Sequence, residues 1–217
     1  MVHKNSRLEK YLFVGAHPDD IELGAGGTLA KALANGIECH SAVFSDFKNL
    51  SAKGQGVTNS QVGEESIAAQ LQLGMKRKDI YFYSFPVRNF EDSRQDILQV
   101  LIDNFQGNQY TRIFIPNTLD IHQDHKVVAT EAIRAFKFSS LFGYELPWNN
   151  VDSNINFYNI LEQSQVNLKV NSLKLFISQK NRFYFAEDKI MTIMKFRGLQ
   201  VGAEAAEAFE VIRYVAT

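Results

Sequence analysis

Tyr11-Leu12-Phe13-Val14-Gly15-Ala16-His17-Pro18-Asp19-Asp20-Ile21-Glu22-Leu23-Gly24-Ala25-Gly26-Gly27-Thr28 passes from an apolar run to a dense polar turn and then to glycines and small residues. The apolar run, Tyr11 to Ala16, has the length and residue types of a buried strand. A helical pattern follows at about Gly26 to Ala34. The same alternation recurs downstream, with strands expected at Ile37 to Phe44, Ile80 to Tyr83 and Arg112 to Pro116. Helices are expected at Gln61 to Leu73, Asp92 to Phe105 and His125 to Phe138, the first of these ending at Gly74. Strands alternating with helices predict βαβ units. The expected architecture is an α/β, Rossmann-like three-layer fold, with a mostly parallel sheet and helices on both faces.

After Leu146-Pro147-Trp148 the pattern changes. Asn156 to Ile160 and Leu168 to Val170 read as short strands, and Glu187 to Phe196 as a last amphipathic helix, which together predict a C-terminal β-rich cap on the same domain. The chain has 217 residues, 45% hydrophobic and 22% charged, an ordinary globular composition that we read as one domain, 1–217. The polar stretch Ser45 to Ser60 follows a strand end and is a candidate lid.

A net charge of −1 with scattered cations lacks the footprint of a nucleic-acid binder, so a small-molecule partner is expected. Cys39 is the single cysteine. It permits no intrachain disulfide and fits a buried strand. No apolar run approaches the roughly 20 residues that cross a bilayer, and the polar start lacks a signal core. A cytoplasmic location without a membrane span is the expectation. A chain of this size is stable alone, and homo-oligomerisation stays open.

An imidazole and three acids fall within His17 to Glu22, directly after the first strand and so at the carboxyl edge of the sheet, where open α/β folds bind ligands. Pro18 fixes one φ angle and favours an extended His17, so the turn can aim His17 and Asp20 at one point with Asp19 beside them. A plain turn with an aspartate helix cap is the alternative. A phosphate cradle at Gly24 to Thr28 lacks the lysine of a P-loop and the spacing of a dinucleotide fingerprint. Those glycines are better read as allowing the helix to approach the sheet.

A second cluster, Asp120-Ile121-His122-Gln123-Asp124-His125, follows another strand end within eight residues. Either cluster alone could be surface polarity at a helix start. Two at equivalent edges of one sheet point to a shared site, and a His, His, Asp set with one open position is the ligand chemistry of catalytic zinc.

The pattern Ala16-His17-Pro18-Asp19-Asp20 with Glu22 and Gly26-Gly27-Thr28, followed by His122-Gln123-Asp124-His125, resembles the LmbE-like, or PIG-L, family of N-acetylglucosaminyl deacetylases. Glu64 to Gly74 and Glu207-Ala208-Phe209-Glu210 are similar to further family segments. The resemblance implies that His17, Asp20 and His125 bind zinc and that Asp19 is the general base. It also implies that His122 stabilises the transition state and that Asp124 orients it. The implied substrate is a small N-acetylated sugar or sugar conjugate. The chain departs from the family at Phe196 to Gln200, where members often carry a His and a Ser-Gln pair, and at Asp120, where some carry Tyr.

In the expected reaction Asp19 removes a proton from the attacking water and then passes it to the leaving amine, while a protonated His122 donates to the oxyanion. Arg88, after the third strand, is a candidate contact for a substrate phosphate or carboxylate, or else an ordinary surface arginine. Trp148 is a candidate sugar-stacking face or a packing residue. Hydrolysis of another small amide, a non-catalytic carbohydrate-binding module and a nucleotide-binding domain are the competing functions.

Overall fold

The computed structural model describes residues 9–45, 59–152 and 154–216. The elements run β1 (Lys10–Gly15), α1 (Asp20–Ala34), β2 (Glu38–Val43), α2 (Asn59–Gln72), β3 (Ile80–Phe82), α3 (Arg94–Phe105), β4 (Arg112–Pro116), α4 (Gln123–Ala135), β5 (Ser140–Tyr144), β6 (Phe157–Ile160), α5 (Gln163–Leu173), α6 (Glu187–Leu199) and β7 (Ala206–Arg213). They form one seven-stranded sheet in the order β3-β2-β1-β4-β5-β7-β6. The first five strands pair in parallel, and β7 joins β5 and β6 antiparallel. Strand order reverses between β1 and β4, so the loops leaving these two strands flank the crevice where such sheets take ligands. Among the described residues no helix is long and apolar enough to cross a membrane.

Side chains alternate along β1. Leu12 and Val14 enter a core beneath α3 and α4 with Ile113 and Ile115, whereas Tyr11 and Phe13 enter the core beneath α1 with Phe114, Phe142 and Phe209. Burial of β1 on both faces explains its unbroken apolar run. Cys39 lies buried in β2.

Three expectations need correction. Helix α1 begins at Asp20, six residues before the expected start. Its glycines weaken the local helical signal, but packing demands them. A β-carbon on Gly24 would enter the Tyr144 ring, and one on Gly27 would lie 2.5 Å from Leu161 Cδ1. The segment Leu168 to Val170 is helical, inside α5, instead of a strand. A capping box between Glu162 and Gln165 starts that helix, and Val166, Val170 and Leu173 form its buried stripe. The C-terminal part does supply two strands, but they extend the main sheet as its antiparallel edge rather than forming a separate cap, and β5 and β7 were not anticipated at all. The candidate lid, Ser45 to Ser60, lies almost wholly outside the described residues.

A buried ion pair ties the end of the chain to α1. Glu207, on β7, accepts from the Gly27 and Thr28 amides at 2.8 and 2.6 Å. Lys169, on α5, donates to Glu207 at 2.6 Å and to the Leu23 carbonyl at 2.5 Å. Both charges are thereby satisfied away from water.

Candidate metal centre and cleft

At the end of β1 the chain turns through His17-Pro18-Asp19 into α1. The Asp20 carboxylate accepts from the His17 amide at 2.8 Å, which closes the turn on itself. Asp19, the residue before α1, has φ 111°, a left-handed conformation that is costly for a side-chain-bearing residue. The Leu23 amide donates to the Asp19 carbonyl at 2.9 Å and holds it there. Across the crevice, His122 caps α4, its Nδ1 accepting from the Asp124 amide at 3.2 Å.

Three donor atoms converge between these turns. His17 Nδ1 lies 3.1 Å from His125 Nε2, His125 Nε2 lies 3.3 Å from Asp20 Oδ2, and His17 Nδ1 lies 3.7 Å from Asp20 Oδ2. Ligands 2.0–2.2 Å from a tetrahedral zinc stand about 3.4 Å from one another, so the triangle has the size that ion requires. The outer nitrogens fix the tautomers. His17 Nε2 pairs with Asp124 Oδ2 at 2.9 Å and His125 Nδ1 with Asp120 Oδ2 at 2.7 Å. With one N–H of each ring given to a carboxylate, the inner nitrogens face each other at 3.1 Å beside Asp20, a place that a proton or a cation fills. Burial disfavours a charged His125, yet Asp20 and Asp120 push it up to about 10. Against burial, His125 and His17 hold the Asp20 carboxyl below its usual range. The carboxylates thus call for positive charge at the convergence point. His122 adds a third ring nitrogen, with His17, His122 and His125 all offering one within 4.8 Å of each other.

Two expectations about this cluster change. The Asp124 carboxylate grips His17 rather than His122 and also accepts from the Arg88 amide at 2.6 Å. Only the Asp124 backbone reaches His122. Burial, followed by His125 and His17, lowers His122 to about 4, so near neutral pH the ring is neutral rather than protonated. Because Nδ1 accepts the Asp124 amide, Nε2 carries the hydrogen.

Asp120 received no role in the sequence reading, yet it holds His125 and also accepts from the His122 amide at 2.7 Å. Outer partners of this kind are worth about 10–100-fold in metal affinity. Asp120→Asn is therefore expected to weaken zinc binding by about that factor in a chelator competition, and unchanged affinity would deny Asp120 this part.

The site opens into a cleft. Val87 and Arg88, after β3, line one wall. Trp148 and Asn149, after β5, line the other with Arg182 and Tyr184. Arg88 has φ 66° and is pinned from both sides, its amide by Asp124 and its carbonyl by the Gln123 side chain. Trp148 stacks on Tyr184, with ring centroids 4.1 Å apart and planes at 12°. Burial, then Asp20, pushes the Asp19 carboxyl well up, and Arg182 opposes this. Arg182 and Tyr184 carry no motif that would reveal them, since they lie just before and within a short 3-10 turn far along the chain from both clusters.

Glu22 lies fully buried behind the centre. Ser66 and the Gln70 amide group donate to its Oε1 at 2.6 and 3.2 Å, while Oε2 has no partner among the described residues. Burial raises its pKa from 4.5 to about 7. The folded protein keeps this proton where the unfolded chain has lost it, so stability falls as pH rises from about 4.5 to about 7, by about 3 kcal/mol. Denaturant titrations of metal-free protein and Glu22→Gln are expected to differ increasingly across that window. A pH-independent difference would contradict the assignment.

A family profile described as PIG-L, GlcNAc-PI de-N-acetylase, matches residues 12–136, more than half of the chain. An uncharacterized deacetylase of Escherichia coli, YaiS, is 30% identical over 147 residues, covering 63% of this chain and 73% of that protein. The N,N'-diacetylchitobiose deacetylase of Pyrococcus horikoshii superposes with a TM-score of 0.75 at 20% identity, covering 95% of this chain and 85% of the other. GalB, the 4-carboxy-2-hydroxymuconate hydratase of Pseudomonas putida, gives 0.75 at 18% identity, covering 96% and 98%. The last two likenesses establish the fold alone, and the two enzymes carry different chemistries. The sequence match, running from β1 through α4 and so across both halves of the candidate metal centre, makes this chain a member of the PIG-L family of deacetylases.

Proposed function

We propose that the protein is a zinc-dependent hydrolase that removes the acetyl group from an N-acetylated amino sugar, releasing acetate and a free amine. The observation that carries this reading is the donor triangle of His17, Asp20 and His125, whose 3.1, 3.3 and 3.7 Å edges match a tetrahedral zinc site. Zinc held there supplies Lewis acidity to the amide carbonyl and acidifies water.

The chain's own residues do the rest. Asp19, part-buried and facing the cleft, accepts the proton of the attacking water and delivers it to the leaving nitrogen. His122 donates from Nε2 to the developing oxyanion. A neutral imidazole suffices, because the Asp124 amide on Nδ1 fixes which nitrogen bears hydrogen. Asp124 and Asp120 act through His17 and His125, fixing ring orientation. The Trp148–Tyr184 stack on the cleft wall offers a flat apolar face for a pyranose ring.

The test is acetate release from a panel of N-acetylated sugars, glycosides and sugar phosphates by zinc-loaded and chelator-treated protein. Zinc-dependent release is expected. No release from any member by protein with stoichiometric zinc would overturn the amino-sugar reading in favour of another small amide.

A further inference from the structure

The two walls of the cleft each carry an arginine. Elsewhere Arg94, Arg112, Arg134 and Arg197 pair with glutamates, and Arg77 and Arg213 donate to backbone carbonyls. Among the described residues, the Arg88 and Arg182 side chains have neither a carboxylate nor a carbonyl partner, and both line the cleft. Sheet order sets them on opposite sides, since Arg88 follows β3 on one flank of β1 and β4, while Arg182 packs with the segment that follows β5 on the other. Arg182 is also held in place. It donates to Tyr184 Oη, its guanidinium lies 5.8 Å from that ring's centre, and Tyr184 is in turn clamped on Trp148. One hydrogen bond uses a small part of a five-donor fork, and the remainder suits an oxyanion's planar or tetrahedral oxygens.

We infer that Arg182 is a specificity-determining residue, reading an anionic substituent on an amino sugar whose ring lies against the Trp148–Tyr184 stack. The inference rests on the cleft being the substrate site proposed above. A phosphate or carboxylate on the sugar, directed away from the acetamide at the metal centre, meets the fork of Arg182 on the aromatic wall, with Arg88 contributing charge from the opposite one. The Asp19 carboxylate also feels Arg182. Loss of Arg182 therefore affects every substrate to some degree, and the informative quantity is the ratio between charged and neutral substrates.

That ratio is measured as kcat/KM for N-acetylglucosamine, its 1-phosphate and its 6-phosphate with wild type, Arg182→Gln and Arg182→Lys. Binding is read separately from the fluorescence of Trp148, the single tryptophan, titrated with glucosamine and glucosamine 6-phosphate with and without zinc. The expected result is a preference of about tenfold or more for a phosphorylated sugar, lost in Arg182→Gln and partly kept in Arg182→Lys, as for one charge-assisted hydrogen bond. Turnover of the neutral sugar without that preference, or a preference that survives Arg182→Gln, overturns the role of Arg182 and leaves the deacetylase reading standing. Arg182-dependent binding of the sugar phosphate with no acetate released from any sugar does the reverse.

Discussion

Asp19→Asn is expected to retain stoichiometric zinc and to lose about 10²–10⁴-fold in kcat, the contribution of a well-placed general base. The substitution is nearly isosteric. Asparagine tolerates the left-handed backbone better than most residues, so the φ of 111° and the Leu23 amide bond to the Asp19 carbonyl persist. What disappears is a carboxylate able to take a proton. Metal analysis and acetate release on the same sample separate the two effects. Wild-type turnover in the variant would remove Asp19 from the base role, and loss of zinc would make it a ligand instead.

His125→Ala is expected to abolish zinc binding under conditions that saturate the wild type. The change removes one vertex of the donor triangle and leaves Asp20 and Asp120 facing each other without the imidazole between them. Removal of one member of a buried charged network costs about 3–5 kcal/mol, so the melting temperature should fall as well. The loss in affinity should exceed the about 10–100-fold expected of an outer partner such as Asp120. Zinc titration against a chromophoric chelator gives the ranking. An affinity for His125→Ala above that of Asp120→Asn would invert the assignment of inner and outer residues.

The parts of this molecule legible in the sequence share a physical reason. Strands β1 and β4 lie at the sheet centre and are buried on both faces, so their apolar runs stand out, and the polar clusters that follow fall at adjacent strand ends. The start of α1 was misplaced because Gly24 and Gly27 answer to Tyr144, Leu161 and Glu207, all more than a hundred residues away. Strand β7 was hidden because Glu207 and Glu210 interrupt its alternation, and both are buried or bonded by distant groups, Glu210 accepting from Thr118. The Asp124 assignment failed for a related reason. Two residues of separation bring its backbone to His122, but the direction of its carboxylate depends on where β1 lies beside β4.

The Glu207 contact with α1 bears on how the protein comes into being during synthesis. The carboxylate that completes the hydrogen bonding of Gly27 and Thr28 arrives 180 and 179 residues after them. Contacts closed over so much chain are formed late and slowly. The Gly27 and Thr28 amides of α1, the helix that presents Asp20, gain these acceptors only once β7 has been made. The helix behind the His17 to Asp20 turn thus receives its final fastening from chain made after both polar clusters.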